Sequence, residues 1–318
     1  MATSGSDLGK IAQSEGAGPE PGFGTSARGE KDPTGRRRFG LIVAALPALW
    51  LVLFLVVPLG ILIAWSFQAP SIGVKFRGEF SLSSYQLALD TTQYWTVLWK
   101  TCMTALVVAM LSILLGYPIA YVLAVITTPK RRYALMLIAL LPFLTSYLLR
   151  IYAWRLLLGR EGLINRALEL LGITESSVNF FLFTRIAVVI VLVYVWTPWA
   201  ALPIFVRLEQ IDASLREASA DLGATPWRGF RRVVFPLSLS GVLAAFFFVF
   251  IPTLGDFATA DLVGGSGGIM LGNLVDGLLR ALSYPSGAVL AVLLMLIALA
   301  FMFIGGRFIR GGMWSDGR

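Results

Sequence analysis

The sequence has no histidine and a single cysteine, Cys102, and charged residues make up only 14% of its 318 residues. Without histidine there is no Ser-His-Asp triad, no His-ligated metal and no metalloprotease motif. One cysteine, placed in an apolar run, excludes an internal disulfide. No G-x-x-x-x-G-K-[ST] stretch occurs, so the chain has no P-loop with which to bind and hydrolyse ATP. No metal-ligand cluster or cofactor motif is found, and any ATP-driven work must come from another chain.

What fills the sequence instead is apolar: 57% of its residues are hydrophobic, and mean hydropathy is +0.78. Such values belong to an integral membrane protein. A helix needs about 20 apolar residues to cross a bilayer. Six stretches meet this, near 41–67, 97–126, 134–158, 186–206, 237–257 and 287–306. The expected fold is therefore all-α and polytopic, with six transmembrane helices. Pro47, Pro58, Pro118 and Pro142 fall inside these stretches, where membrane helices tolerate breaks that neighbours can satisfy. Residues 1–38, rich in Gly, Ser, Pro and charge, are expected to be a disordered tail. The permease-sized body would then be 39–306, with a short tail at 307–318.

Loop charges orient the spans. Arg36–Arg38, Lys130–Arg132, Arg207, Arg216, Arg228, Arg231, Arg232, Arg307 and Arg310 would share one face. The opposite face has only Lys75, Arg77, Arg160, Arg166, Arg185 and Arg280. By the positive-inside rule the first set is cytoplasmic, as are both termini. That topology accounts for the net charge of +8, and no nucleic-acid partner is expected. Trp65, Trp95, Trp99, Tyr152 and Trp154 read as an interfacial belt at the other end. In the outer loops, Ser81–Tyr85 reads as a helix start and Leu163–Gly172 as a short amphipathic helix.

The polar insert at 207–236 is the most informative stretch. Leu208, Ile211, Leu215, Ala218 and Leu222 repeat with helical period, and Asp212 and Arg216 are spaced as an ion pair on the other face. Gly223 then ends the helix, and Thr225-Pro226 opens a second one as N-cap and first-turn proline. Helix, turn, helix makes a knob able to enter a groove on a soluble partner.

Glu217-Ala218-Ser219-Ala220-Asp221-Leu222-Gly223, followed after nine residues by Val233-Val234-Phe235-Pro236, resembles the cytoplasmic loop of ABC-importer permeases. That family's pattern is Glu-Ala-Ala, three residues, Gly, nine residues, Ile-x-Leu-Pro. Ser219, Val233 and Phe235 depart from it only slightly. Pro142–Trp154, Gly162–Asn165, Pro198–Pro203, Phe250–Phe257 and Asp261–Gly265 are similar to permeases of the spermidine/putrescine subfamily. Within its pairs, the chain is more similar to the first subunit, the one with the longer N-terminal region.

The resemblance implies a type I ABC importer in the bacterial inner membrane. A dimeric ATPase, a second related permease subunit and a periplasmic or extracellular solute-binding protein would be its partners. Glu217, Ala218, Ser219, Asp221, Gly223 and Pro236 would form the ATPase-coupling loop. Asp256 and Asp261, with Tyr194, Trp196 and Trp199, are the candidate solute pathway, since carboxylates and aromatic faces suit a polyamine cation. An opine or amino-acid derivative is the alternative cargo. A secondary transporter is the distant one, disfavoured by the small number of spans and their near-empty centres.

Overall fold

The computed structural model describes residues 45, 47–73, 80–172 and 182–313. The expected N-terminal tail at 1–38 lies outside these residues. The chain divides into two units, Met1–Val57 and Pro58–Arg318. Among the described residues the secondary structure is helical throughout, with no strand. We number the helices α1 Pro47–Ser66, α2 Ser83–Asp90, α3 Thr92–Ile126, α4 Pro129–Leu140, α5 Tyr147–Leu158, α6 Leu163–Leu170, α7 Arg185–Glu209, α8 Ala213–Asp221, α9 Pro226–Leu254, α10 Leu271–Arg280 and α11 Tyr284–Met313.

Five of these, α1, α3, α7, α9 and α11, contain stretches long and apolar enough to cross a membrane. The third expected span, 134–158, is not one helix. It is divided between α4 and α5 by a 3-10 turn at Leu141–Leu144 around Pro142. A proline lacks the N–H that would continue the ladder and clashes with the preceding turn, so an unbroken apolar run still breaks there. The prolines elsewhere are absorbed more gently. Wide π-turns at Val52–Val56, Val122–Ile126 and Phe230–Val234 lie beside Pro58, Pro118 and Pro236 and let those helices continue. Both outer-loop helices expected from the sequence are present as α2 and α6. The Ser81 Oγ accepts the Ser83 N–H at 3.2 Å where α2 begins.

Within Pro58–Arg318, α3, α7 and α9 pack against one another. Arg185 at the start of α7 reaches the Thr104 hydroxyl, and a Cβ added at Gly116 would lie 3.0 Å from the Thr197 carbonyl and 3.1 Å from the Ala201 nitrogen. Both helices advance together, so α3 and α7 run parallel at backbone contact. Small side chains permit this approach in membranes, where apolar burial gives little drive and close packing must serve. The opposite course is taken by α9: Arg207 near the end of α7 donates to the Leu237 carbonyl at 3.1 Å near its start. Residues 129–158 also run against α7, with Tyr133 on Phe205, Phe143 on Trp199, and Trp154 on Tyr194. In turn α11 runs against α9, with Phe301 packed on Phe250.

Val108, Val188, Val191, Leu192, Ile204, Val249 and Phe250 fill the centre of this packing and are buried. The remaining faces of the long helices are exposed and apolar, as lipid-facing surfaces are.

Candidate functional site

At the end of α7 the backbone turns at Gln210–Asp212 and restarts as α8. This break corrects the sequence reading of one continuous stripe. Leu208 is buried with the spans, whereas Leu215 is 47% exposed on the separate helix and Leu222, in the turn just past it, is 89% exposed. Nor does Asp212 pair with Arg216, because its carboxylate caps α8 and accepts the Ser214 N–H at 3.0 Å. That bond holds its pKa below the usual carboxylate value. An N-cap satisfies a backbone donor that has no other partner, which an exposed ion pair does not.

The turn after α8 is as expected. Gly223 takes φ +78°, and its N–H reaches the Ala220 carbonyl at 2.8 Å. Only a residue lacking Cβ adopts this left-handed conformation without penalty. Thr225 Oγ1 then accepts the Arg228 N–H at 3.4 Å and Pro226 opens the next turn. The two arms touch where Ser219 meets Gly229, since a Cβ there would lie 3.1 Å from Ser219 Oγ. Glu217, Ala218 and Asp221 are exposed, and neither acid has an ion-pair partner among the described residues.

Two anchors tie this knob to the spans. Trp227 stacks on Phe230, which packs edge-on against Tyr117 and Tyr121 of α3 and tilts onto Phe235 beside Pro236. Tyr117 also hydrogen-bonds Ser238 at 2.8 Å. On the other side, Glu209 receives Arg132 at 3.2 Å and the Tyr133 hydroxyl. These anchors escaped the sequence reading, because Tyr117 and Tyr121 are distant in the chain from Phe230, as Arg132 and Tyr133 are from Glu209.

The proposed solute pathway residues fall into separate groups. Asp256 is 8% exposed and accepts from the Thr259 N–H at 2.9 Å, the Thr259 hydroxyl at 3.1 Å and the Tyr147 hydroxyl. Asp261 is exposed on the π-turn Ala260–Gly264 that follows. Trp199 lies between Phe143 and Phe248, and Tyr194 packs on Trp154. The indole N–H of Trp196 is buried with no hydrogen-bond partner among the described residues.

An apolar groove of about 500 Å³ runs along α3, α5 and α7, lined by Leu111, Phe143, Trp154, Tyr194 and Thr197 among others. Asp256 is not among its lining residues. Arg150 links the two regions: its guanidinium lies 4.6 Å from the Phe143 ring centre and 5.8 Å from that of Tyr147. Its Nε and Nη1 are buried with no hydrogen-bond partner among the described residues. Tyr147, Arg150 and Trp154, spaced for one face of α5, are the functional candidates the sequence reading passed over.

Residues 116–311, which hold the knob, both anchors and the Asp256 cluster, match the family model described as binding-protein-dependent transport system inner membrane component. The chain belongs to this family. As a member it is a multi-pass permease subunit of a transport system. It is similar to two proteins named spermidine/putrescine transport system permease protein PotB. With the one from Haemophilus influenzae it shares 31% identity over 84% of this chain and 93% of the relative. With that of Escherichia coli it shares 33% over 78% and 90%. The expected subfamily is thereby borne out. The crystal structure of a bacterial alginate ABC transporter contains a chain of like fold, with TM-score 0.70 at 16% identity over 86% of this chain and 95% of that one.

Proposed function

We propose that this permease is one of two related membrane subunits of an ATP-driven importer of the polyamines putrescine and spermidine. The observation that carries the reading is the likeness to two spermidine/putrescine permeases over nearly their whole length. A solute-binding protein delivers the cation, and an ATPase dimer supplies the work. The chain itself hydrolyses nothing. Glu217, Ala218, Ser219, Asp221, Gly223 and Pro236 make up the ATPase-coupling loop, which the ATPase grips at α8 and the Gly223 turn while Pro236 marks its return to the spans. Leu215 on α8 and Leu222 just past its end, both exposed, support this role. The Trp227–Phe230–Tyr117 stack and the Glu209 bonds pass the movement of the knob into the spans.

In this reading the segment 129–158 makes the sixth crossing, and both termini face the cytoplasm. Neither α4 nor α5 alone is long enough, but about 30 helical residues reach roughly 45 Å. Their course against α7 supports a crossing. Asp256, Asp261, Tyr194, Trp196 and Trp199 stand along the route of the cation.

A second cargo, an opine or other amino-acid derivative, draws on Arg150, whose Nε and Nη1, without hydrogen-bond partners among the described residues, would suit a carboxylate. Uptake of radiolabelled putrescine and spermidine into cells with and without the gene separates the two. Polyamine uptake that disappears with the gene supports the first reading. Unchanged polyamine uptake, with loss of an amino-acid derivative, would replace it with the second.

A further inference from the structure

We propose that Trp227, Arg228, Arg231 and Arg232 form a binding site for the phosphate headgroup of an anionic phospholipid at the base of the knob. The four side chains bound a hollow of about 510 Å³, within the ~300–1,000 Å³ range of small-molecule sites. Arg228, Arg231 and Arg232 follow the i, i+3, i+4 spacing that gathers side chains on one face. Among the described residues no acid lines the hollow, and none of the three guanidinium groups has a hydrogen-bond or ion-pair partner. Three converging cations left without counter-charge call for an anion, and the guanidinium fork matches phosphate oxygens.

The length of α9 identifies which phosphate. Its last 20 residues, Phe235–Leu254, are apolar and reach about 30 Å, the thickness of the hydrocarbon core. The preceding turns, Pro226–Val234, therefore lie in the headgroup layer. All 29 residues of α9 reach about 44 Å, close to a whole bilayer with its headgroups. Trp227, 67% exposed and stacked on Phe230, is an interfacial residue at this depth. A soluble partner would meet the knob at α8, farther along the loop. The inference rests on the membrane arrangement proposed above, but not on the cargo.

The test uses the assembled transporter in detergent, titrated with cardiolipin, phosphatidylglycerol or phosphatidylcholine and followed by native mass spectrometry. Both anionic lipids should be retained well above phosphatidylcholine. Arg228→Gln, Arg231→Gln and Arg232→Gln should each weaken that retention roughly fivefold. Replacing all three with lysine should give an intermediate loss in a chain whose charge is unchanged. Arg131→Gln, a basic residue outside the hollow, should have no effect. Equal retention of all three lipids would overturn the proposal, as would anionic retention surviving the triple glutamine change. So would displacement of cardiolipin by millimolar inorganic phosphate, which would assign the hollow to a soluble phosphate. If the triple variant keeps its lipids but sheds the ATPase on purification, the surface belongs to the ATPase instead. No solute enters this measurement, so its outcome is independent of polyamine uptake.

Discussion

Asp256 could be picked out of an otherwise apolar stretch because a carboxylate there needs a reason. The partners that keep it there could not be read in the same way. Thr259 is three residues on, but Tyr147 is 109 residues away and joins it only when α5 lies against the end of α9. A buried carboxylate without its donors bears a heavy desolvation cost. Tyr147→Phe removes one donor and leaves the Thr259 bonds, so it should destabilise the protein by about 1.5–3 kcal/mol. A lowered melting temperature in detergent checks this, and an unchanged one would mean that the Tyr147 bond contributes nothing. Gly116 makes a sharper test of packing. Its absent Cβ faces backbone atoms of α7 at 3.0 and 3.1 Å, which cannot rotate aside as a side chain can. Gly116→Leu should therefore force α3 and α7 apart and abolish stable expression. Gly60→Leu, where a Cβ meets nothing within 4 Å of it, should be tolerated.

At the scale of elements, the sequence disclosed the knob where backbone chemistry is local and misread it where only periodicity was available. Gly223 and Thr225-Pro226 each dictate their own conformation and were legible. The break at Gln210–Asp212 was not, because the helical spacing from Leu208 to Leu222 continues across a turn of suitable length, and the Asp212–Arg216 spacing imitates an ion pair. Likewise Pro142 was legible as a proline, but its effect on a long apolar run depended on whether neighbours could mend the ladder. Gly223→Ala places a Cβ at φ +78° and should cost about 1–2 kcal/mol locally, loosening the turn. Glu217→Ala leaves the turn intact and removes the exposed carboxylate. Both should reduce uptake while ATP hydrolysis by the assembled transporter continues, measured side by side in proteoliposomes. Full uptake in the Glu217 variant would remove that residue from the coupling surface. The Asp212 cap adds a pH dependence. Its pKa is depressed in the folded chain, so its contribution to α8 is fully present above the ordinary value of 3.8. It is lost as pH falls through the lower folded value. The protection of the Ser214 and Leu215 amides, measured against their intrinsic exchange rates, should fall over that acid range in the native protein, and Asp212→Asn should remove that change in protection.

Across the whole molecule, direction decides how many times the chain crosses. Helices α3 and α7 run parallel, so the residues between them must return over the distance that each helix advances. Residues 129–158 do so, beginning beside Glu209 and Phe205 and ending with Arg155 against Phe183 near the start of α7. Hydropathy marked this segment as a span, since apolar composition survives a break. It could not show the break, because beside Pro58, Pro118 and Pro236 equally apolar helices continue. A crossing here places Lys130 and Ser214 on one face of the membrane, in agreement with the arginine-rich loops. A failure to cross places them on opposite faces. The single native cysteine makes the distinction accessible. In a Cys102→Ser background, Lys130→Cys and Ser214→Cys each put an exposed thiol in one of the two loops. A membrane-impermeant maleimide should label both in inside-out vesicles and neither in intact spheroplasts. Labelling of the two from opposite sides would reduce the body to five crossings, and it would separate the basic loop at 130–132 from the knob it is proposed to flank.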